Sequence, residues 1–332
     1  MAEQNAATQA TFQEVQSERQ DEIFSLPNVV GMGYANKHVK GEDTGEPSLA
    51  VFVSQKLPKD MLRKDHRIPT SLNSLKTDVI ETGVIQAGVD TLLEAGPMIG
   101  TREERRQDAA IELLRARIRP VEGGYSVGHY QITAGTYATA VIDATAFPGV
   151  PQRYYVLSNN HVLANSNNAR IGDPILQPGP YDGGTVAADT IARLSRFVPI
   201  NFAPGSSNYV DAAIAEGAFD VLDREIYWVG YARGGIAPAL NMVVQKTGRT
   251  TNYTTGRITA INATVNVNYG GGQVARFVNQ ILTTNMSAGG DSGSLLLDME
   301  NRAVGLLFAG SSVVTVFNDI RYVQHLLGIR IA

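Results

Sequence analysis

The stretch AGGDSGSLLLD, residues 288–298, carries the strongest fold signal in this chain. It places Ser292 in a glycine-rich turn that runs into LLL, an apolar run typical of a buried β-strand. Glycine allows backbone conformations that aim several N–H groups at one point. Donors arranged in this way stabilise the oxyanion that forms when a hydroxyl attacks a carbonyl. The turn therefore predicts a serine nucleophile, with an oxyanion hole formed by the backbone N–H groups of Gly290 and Ser292.

Two further stretches supply the groups that such a serine needs. VLSNNHVLA, residues 156–164, puts His161 directly after a strand-like run, and NYVDAAIAE, residues 208–216, puts Asp211 inside another. A serine hydroxyl becomes a good nucleophile at neutral pH only when a base takes its proton, and histidine suits this task. A buried carboxylate fixes the tautomer of the imidazole and stabilises its cation. We therefore predict a catalytic triad of His161, Asp211 and Ser292.

The order histidine, aspartate, serine along the chain is that of the chymotrypsin-type triad. Over residues 121–332 the chain resembles the trypsin-like (chymotrypsin-fold) serine peptidases, and more narrowly their cysteine-free bacterial members with an amino-terminal extension. The resemblance implies two antiparallel β-barrels with the triad in the cleft between them, and neither a metal nor an organic cofactor. The motifs that carry it are GGYSVGH (123–129), ITAGT (132–136), LSNNHVLA (157–164), IGDPILQPGPYDGG (171–184), VDAAIA (210–215), KTGRTT (246–251) and GGDSGS (289–294).

The histidine loop departs from the family in one respect. Vertebrate members usually have Ala-Ala-His-Cys, whereas this chain has Asn159-Asn160-His161-Val162. Because the chain has no cysteine, no disulfide can hold this loop. We expect packing to hold it instead.

The resemblance also indicates a specificity pocket. In trypsin-like enzymes its floor lies six residues before the nucleophile, and this position is Met286, followed by Ser287. Gly310 is assigned to the same pocket on the resemblance. No carboxylate stands at the floor position, so we expect uncharged side chains of small or medium size to be preferred over lysine or arginine.

The chain is predicted to be mainly β, a chymotrypsin-like double barrel preceded by a small α/β accessory domain. Residues 1–26 form a helical segment in this division, because apolar residues recur at helical spacing over residues 8–24. Residues 27–95 form the accessory domain, which contains three strands, a short helix and a polar loop over residues 38–46. Residues 96–120 form a linker helix, and the protease domain takes residues 121–332.

Composition narrows the classes of function. The chain has 332 residues, of which 43% are hydrophobic and 18% charged, and its net charge of −4 gives no basic surface for nucleic acid. The basic residues of the linker helix are expected to form a solvated face. The polar, acidic amino terminus does not resemble a signal peptide, and the longest apolar run is too short and too broken for a membrane span. The absence of cysteine favours the cytoplasm.

The expected partner is therefore a protein or peptide substrate, with neither nucleic acid nor membrane. This organisation also allows a regulatory protein that binds the amino-terminal domain, and it leaves homo-oligomerisation open. The expected function is that of a serine endopeptidase. Two alternatives remain open: a catalytically inactive protease fold that serves as a scaffold, and an esterase with the same triad.

Two interpretations of Asp291 remain as well. In a zymogen, a new amino terminus cut between Arg115 and Gly124 would pair with Asp291 and shape the oxyanion hole. In the alternative, residues 96–120 are a constitutive linker and Asp291 forms its bonds locally. We favour the second, because short motifs match by chance and Pro120 follows Arg119, where cleavage would be poor.

Overall fold

The structure, a computed structural model, describes residues 2–73, 75–88, 112–145 and 153–331, and strands dominate it, as predicted. The amino-terminal part begins with a helix, α1 (Ala2–Ser25). The strands that follow are β1 (Val29–Val39), β2 (Glu42–Val53), β3 (Ser71–Leu72), β4 (Leu75–Glu81) and β5 (Gln86–Ala87), with 3-10 turns at Lys59–Met61 and Lys64–His66 between β2 and β3.

The central part of the chain forms an eight-stranded antiparallel sheet, in the order β23-β9-β10-β13-β12-β11-β7-β8. One edge strand of this sheet, β23, comes from the carboxyl-terminal part of the sequence and pairs with β9. Two short helices, α2 (Asn160–Leu163) and α3 (Val186–Asp189), and a 3-10 turn at Pro180–Asp182 lie in its connections. The strands are β7 (Ser126–His129), β8 (Gly135–Thr136), β9 (Ala140–Asp143), β10 (Tyr154–Ser158), β11 (Pro174–Leu176), β12 (Thr190–Phe197), β13 (Ala213–Gly217) and β23 (Ile329–Ile331).

Six strands of the carboxyl-terminal part close into a barrel, because β17 pairs with β20 on one side and with β18 on the other. They are β17 (Val243–Gly248), β18 (Asn252–Asn268), β19 (Val274–Thr284), β20 (Leu295–Asp298), β21 (Arg302–Gly310) and β22 (Val314–Asp319). A helix, α4 (Ile320–Leu327), follows the last of them. A small third sheet contains β6 (Val121–Gly123), β14 (Leu222–Ile226) and β15 (Gly230–Tyr231), and β16 (Arg233–Gly235) pairs with β21. The predicted mainly β fold is confirmed; of the two expected antiparallel barrels, the second is a closed barrel and the first is an eight-stranded antiparallel sheet whose end strands, among the described residues, do not pair.

The amino-terminal strands belong to the same sheet as the carboxyl-terminal barrel. β1 pairs with β18, with Gly31 opposite Val265, and β2 and β4 extend the sheet beyond it. Phe12 and Val15 of α1 are fully buried in a core that also contains Ile258 of β18. The unit predicted for residues 27–95 thus shares a sheet and a core with the barrel, while its exact limits stay a prediction. The polar hairpin loop predicted over residues 38–46 lies in the hairpin of β1 and β2, as expected, but it is shorter, because the two strands leave only a two-residue turn, residues 40–41.

Most of the linker helix predicted for residues 96–120 lies outside the described residues, although residues 112–115 are helical. Within the described part of the chain, none of the helices combines the length and the apolar character that a bilayer span requires.

Candidate active site

His161 lies on α2, directly after the end of β10, as its position behind an apolar run predicts. Asparagine side chains hold this turn. The Nδ2 group of Asn159 donates to the carbonyl of Asp211 (2.8 Å), and that of Asn160 donates to the carbonyl of Val198 (2.8 Å). Both asparagines are fully buried, where such bonds are costly to lose. The loop is therefore fixed by side-chain hydrogen bonds as well as by the packing that the sequence led us to expect.

Asp211 contacts His161 through both carboxylate oxygens. Its Oδ2 lies 2.6 Å from Nδ1 of His161, and its Oδ1 accepts the backbone N–H of the same residue (3.1 Å). The Asp211 side chain is fully buried, and its backbone N–H donates to Oδ1 of Asn318 (2.9 Å). This arrangement leaves Nε2 as the imidazole nitrogen that can exchange a proton with a substrate or a hydroxyl.

Tyr269 also binds Asp211, a contact that no motif in the sequence predicts. Its hydroxyl donates to Oδ2 of Asp211 (2.7 Å), and its ring packs edge-on against the imidazole of His161. Burial first, and the charge of Asp211 second, raise the pKa of Tyr269 well above its usual range. The hydroxyl therefore stays protonated and acts as a donor that holds the carboxylate in place.

Ser292 lies in the predicted turn, between two glycines with positive φ, Gly290 (91°) and Gly293 (99°). A Cβ on Gly293 would overlap Oγ of Ser158 and the carbonyl oxygen of Thr136, so this position requires glycine. The carbonyl of Ser292 accepts the N–H of Thr136 (2.7 Å), which ties the turn to the first sheet.

The predicted oxyanion donors are free of protein acceptors. Among the described residues, the N–H groups of Gly290 and Ser292 donate to no other group. The hydroxyl of Thr250 binds the carbonyl of Gly289 (2.7 Å), which shares a peptide plane with the N–H of Gly290, and the hydroxyl of Ser294 binds the carbonyl of Asp291 (2.6 Å), which shares one with the N–H of Ser292. These bonds fix the two peptide planes, so the free N–H groups are held in a defined direction.

Ser292 borders a cavity of about 360 Å³, and His161 lies beside one of the residues that line it. Ser292 lines it together with Gly88, and Gly88 lies against the imidazole of His161. Within the described part of the chain, Nε2 of His161 is buried and has no hydrogen-bond partner, so the bond from the serine hydroxyl is not formed. Such bonds often tighten only when substrate is present.

The cavity matches part of the predicted specificity pocket. Ser287 and Gly310 line it, whereas Met286 lies in the hydrophobic core, only 4% exposed, and is not a lining residue. None of the described lining residues is charged. The polar side chains that line the cavity are those of Gln86, Asn285, Ser287, Ser292, Ser311 and Ser312.

Asp291 has an internal cation as its partner. Its Oδ2 lies 3.1 Å from Nζ of Lys246, and both side chains are fully buried. It also accepts the N–H groups of Ala288 (3.0 Å) and Thr250 (2.8 Å) and the hydroxyl of Thr251 (2.6 Å). Burial lowers the pKa of Lys246, and the adjacent carboxylate opposes this change. The carboxylate thus has bonding partners within the chain, but only Ala288 belongs to its own turn, so the local bonding that we expected accounts for one of these contacts.

Among the described residues, no group of three or more histidine, cysteine, aspartate or glutamate side chains is arranged to hold a metal ion.

Residues 138–306, over half of the chain, match the family described as Trypsin-like peptidase domain. Glutamyl endopeptidase 2 from Streptomyces griseus is 36% identical over 89 residues, which make up 27% of this chain and 43% of that protein. The chain thus spans less than half the length of this relative.

Two solved structures are similar over most of their own length. Thermobifida fusca Protease A is 16% identical with a TM-score of 0.46, and the match covers 64% of this chain and 98% of that chain. Cellulomonas bogoriensis chymotrypsin is 21% identical with a TM-score of 0.44, and the match covers 64% of this chain and 98% of that chain.

Proposed function

The chain belongs to the family of trypsin-like peptidases, and we propose that it is a serine endopeptidase that uses Ser292, His161 and Asp211 as its triad. The observation that carries this proposal is the 2.6 Å contact between His161 and a fully buried Asp211, at a cavity that Ser292 lines. A peptidase needs this set of groups, since each one supplies a different part of the reaction.

Acylation begins when Oγ of Ser292 attacks the scissile carbonyl carbon and its proton passes to Nε2 of His161. The carbonyl electron pair moves onto oxygen, where the N–H groups of Gly290 and Ser292 stabilise it. Asp211 stabilises the imidazolium through the bond to Nδ1. His161 then gives its proton to the amine as the C–N bond breaks, which leaves an ester on Ser292 and releases the amine product.

Deacylation repeats these steps with water as the nucleophile. His161 takes a proton from water, the hydroxide adds to the ester carbon, and the proton returns to Oγ as the ester bond breaks. The acid product leaves and the enzyme is restored. All of these steps use groups of the chain and water.

We propose a preference for uncharged residues of small or medium size at the cleaved position. The cavity at Ser292 has no charged group among its described lining residues, so a lysine or glutamate side chain would lose water there without gaining a partner. The name of the Streptomyces relative indicates glutamate specificity for that enzyme, and the uncharged cavity supports a different preference in this chain.

We further propose that the protein acts in the cytoplasm on protein or peptide substrates and that its amino-terminal region regulates it. The complete absence of cysteine supports the first part. The sheet that joins the amino-terminal strands to the barrel supports the second, because β5 reaches the catalytic cavity.

A fluorophosphonate probe tests the proposal most simply. It should form an adduct at Ser292, found by peptide mapping, in the wild type but not in Ser292→Ala. A panel of peptides and of simple esters then separates a peptidase from an esterase, since the proposal requires cleavage of internal peptide bonds. A folded chain that forms no adduct would indicate the inactive scaffold instead.

A further inference from the structure

A short segment of the chain's own amino-terminal region lines the cavity of Ser292. It comprises residues 82–88, TGVIQAG, and is called the cleft strand below. Its centre, β5, pairs antiparallel with the end of β21, with Ala87 opposite Ala309 and Gln86 opposite Gly310. On its other side Gln86 pairs with Asn268 of β18. The cleft strand is thus added to the edge of the barrel sheet.

Several contacts hold the cleft strand in this position. Ile85 is fully buried in the core of the barrel, and its carbonyl accepts the N–H of Asn268 (3.0 Å). The hydroxyl of Ser311 donates to the carbonyl of Thr82. These bonds anchor both the beginning and the middle of the segment, so its position at the cavity is a defined feature of the fold.

The cleft strand leads directly to the catalytic groups. It runs from Gln86 towards Gly88, and Gly88 lies beside His161: a Cβ built on it would be 3.3 Å from Cδ2 and 3.6 Å from Nε2 of the imidazole. Gly88 and Gln86 line the same cavity as Ser292. Nε2, the nitrogen that has to take the serine proton, is buried and unpartnered among the described residues.

A peptide substrate would need the same place. Extended peptides bind to proteins by adding a strand to an exposed sheet edge, with main-chain hydrogen bonds for affinity and pockets for the side chains. The edge of β21 at Ala309 and Gly310 is the sheet edge that borders the cavity of Ser292, and the cleft strand already pairs with it. Substrate and cleft strand therefore exclude each other.

We infer that residues 86–88 act as an internal ligand that occupies the acyl side of the substrate groove and has to be displaced before a substrate can bind. The inference rests on the proposed function, since it concerns the regulation of the same site. Gly88 stands at the place of the substrate residue whose carbonyl is attacked. As glycine has no side chain, the cavity of about 360 Å³ stays unfilled. A substrate with a side chain in the cavity gains contacts that the cleft strand lacks, and so it can compete.

The apparent affinity for substrate then depends on how often the groove is open. When only a fraction of the molecules is competent to bind, the apparent Kd rises by the inverse of that fraction. Stabilising the cleft strand in its place should therefore abolish peptide hydrolysis, and releasing it should lower KM and leave kcat nearly unchanged.

A disulfide staple tests the first consequence. The chain has no cysteine, so the double variant A87C/A309C contains one pair of thiols, at positions that face each other across the two strands. We expect the oxidised form to hydrolyse a peptide substrate at least about 100-fold more slowly than the same protein after reduction. Because both forms have the same sequence, the reduced form is the control, and intact mass with thiol titration confirms the bond.

The outcomes separate this inference from the proposed function. A fully oxidised protein that is as active as its reduced form overturns the internal ligand and leaves the peptidase intact. Failure of the fluorophosphonate to modify Ser292 in the wild type and in the reduced variant overturns the peptidase itself.

The variant Ile85→Ser tests release and does not depend on disulfide formation. It removes the apolar anchor of the cleft strand, and we expect a fall in KM of about tenfold with kcat changed by less than about twofold. Val265→Ser is the matched control, because Val265 is fully buried in the same core but lies outside the cleft strand. Equal KM values in the two variants and the wild type would contradict the inference.

Discussion

At the scale of single residues, Asp211 is held by more partners than the triad requires. It binds the imidazole and backbone N–H of His161, accepts the hydroxyl of Tyr269 and donates its own N–H to Asn318. The tyrosine approaches the same oxygen, Oδ2, that binds Nδ1 of His161. In the proposed mechanism Tyr269 is therefore a positioning residue, since it would act on the reaction through Asp211.

Tyr269→Phe should lower kcat by about 10-fold or more and leave KM nearly unchanged, because a hydrogen bond to a charged group contributes about 1.5–3 kcal/mol. Steady-state kinetics on one peptide substrate measures both constants. Tyr253→Phe is the matched control, because its hydroxyl donates to Gln245 and does not reach the triad. Equal kcat values in the two variants would show that the bond to Asp211 has no positioning role.

Lys246→Met should destabilise the fold by about 3–5 kcal/mol, since it leaves Asp291 as a buried charge without its cation. Chemical denaturation measures the change in the free energy of unfolding. In the double variant K246M/D291N both charges are gone, and it should recover part of the loss. A single variant as stable as the wild type would mean that the pair does not hold the turn of Ser292.

Peptides with alanine, valine or leucine at the cleaved position should have kcat/KM values at least about 100-fold above those with lysine or glutamate, because the cavity offers no partner for a charge. Ser287→Asp, which puts a carboxylate on the cavity wall, should raise the relative rate for lysine. A preference of the wild type for lysine or glutamate would contradict the assignment of this cavity as the specificity pocket.

At the scale of elements, helix α1 is part of the barrel's core. Phe12 is fully buried and packs edge-on against Tyr34 of β1, which pairs with Ile261 of β18. The sequence predicted the helix from its apolar spacing, and Phe12, Val15 and Ile23 are buried as this spacing requires. It could not predict the surface against which the helix packs, because periodicity carries no information on distant partners.

Phe12→Ala should therefore lower the free energy of unfolding of the whole protein by about 3–5 kcal/mol, as large-to-small changes in cores do. Glu14→Ala, on the exposed side of the same helix, should change it by less than about 0.5 kcal/mol. Denaturation followed by two spectroscopic probes makes this comparison. If Phe12→Ala unfolds the helix alone in a separate transition, the helix and the barrel are independent.

The individual strands could be predicted more accurately than their pairing. The strand-like run predicted around Asp211 is present as β13, but it begins only at Ala213, since Asp211 bonds to His161 and Asn318. The pairing of β1 with β18 joins residues more than 200 positions apart. No local pattern in a single sequence encodes such a contact.

In the candidate site, too, local motifs could be predicted from the sequence, whereas contacts between distant residues could not. Short motifs of adjacent residues predict Ser292, His161 and the oxyanion donor Gly290. Lys246 lies in the motif KTGRTT, and its place directly after the β-prone stretch VVQ is the signal that could have indicated a buried lysine with a partner. Tyr269 has no comparable signal, because its role arises only where β18 ends beside the triad.

At the scale of the whole molecule, the amino-terminal strands and the barrel line the cavity of Ser292, and Gly88 connects this cavity to His161. His161 and Asp211 come from the first sheet and Ser292 from the barrel, while the amino-terminal region contributes Gly88. Substrate binding, in this account, competes with the chain's own cleft strand. This competition presupposes the central claim, which is that the three proposed triad residues act as one catalytic unit.

The most direct test of that claim is the kcat of Ser292→Ala, His161→Ala and the double variant on one peptide substrate, with folding checked by circular dichroism. Because triad residues act together, each single change should lower kcat by several orders of magnitude, and the double variant should be barely slower than either single one. Losses that multiply in the double variant, or a single variant with nearly full activity, would contradict the account.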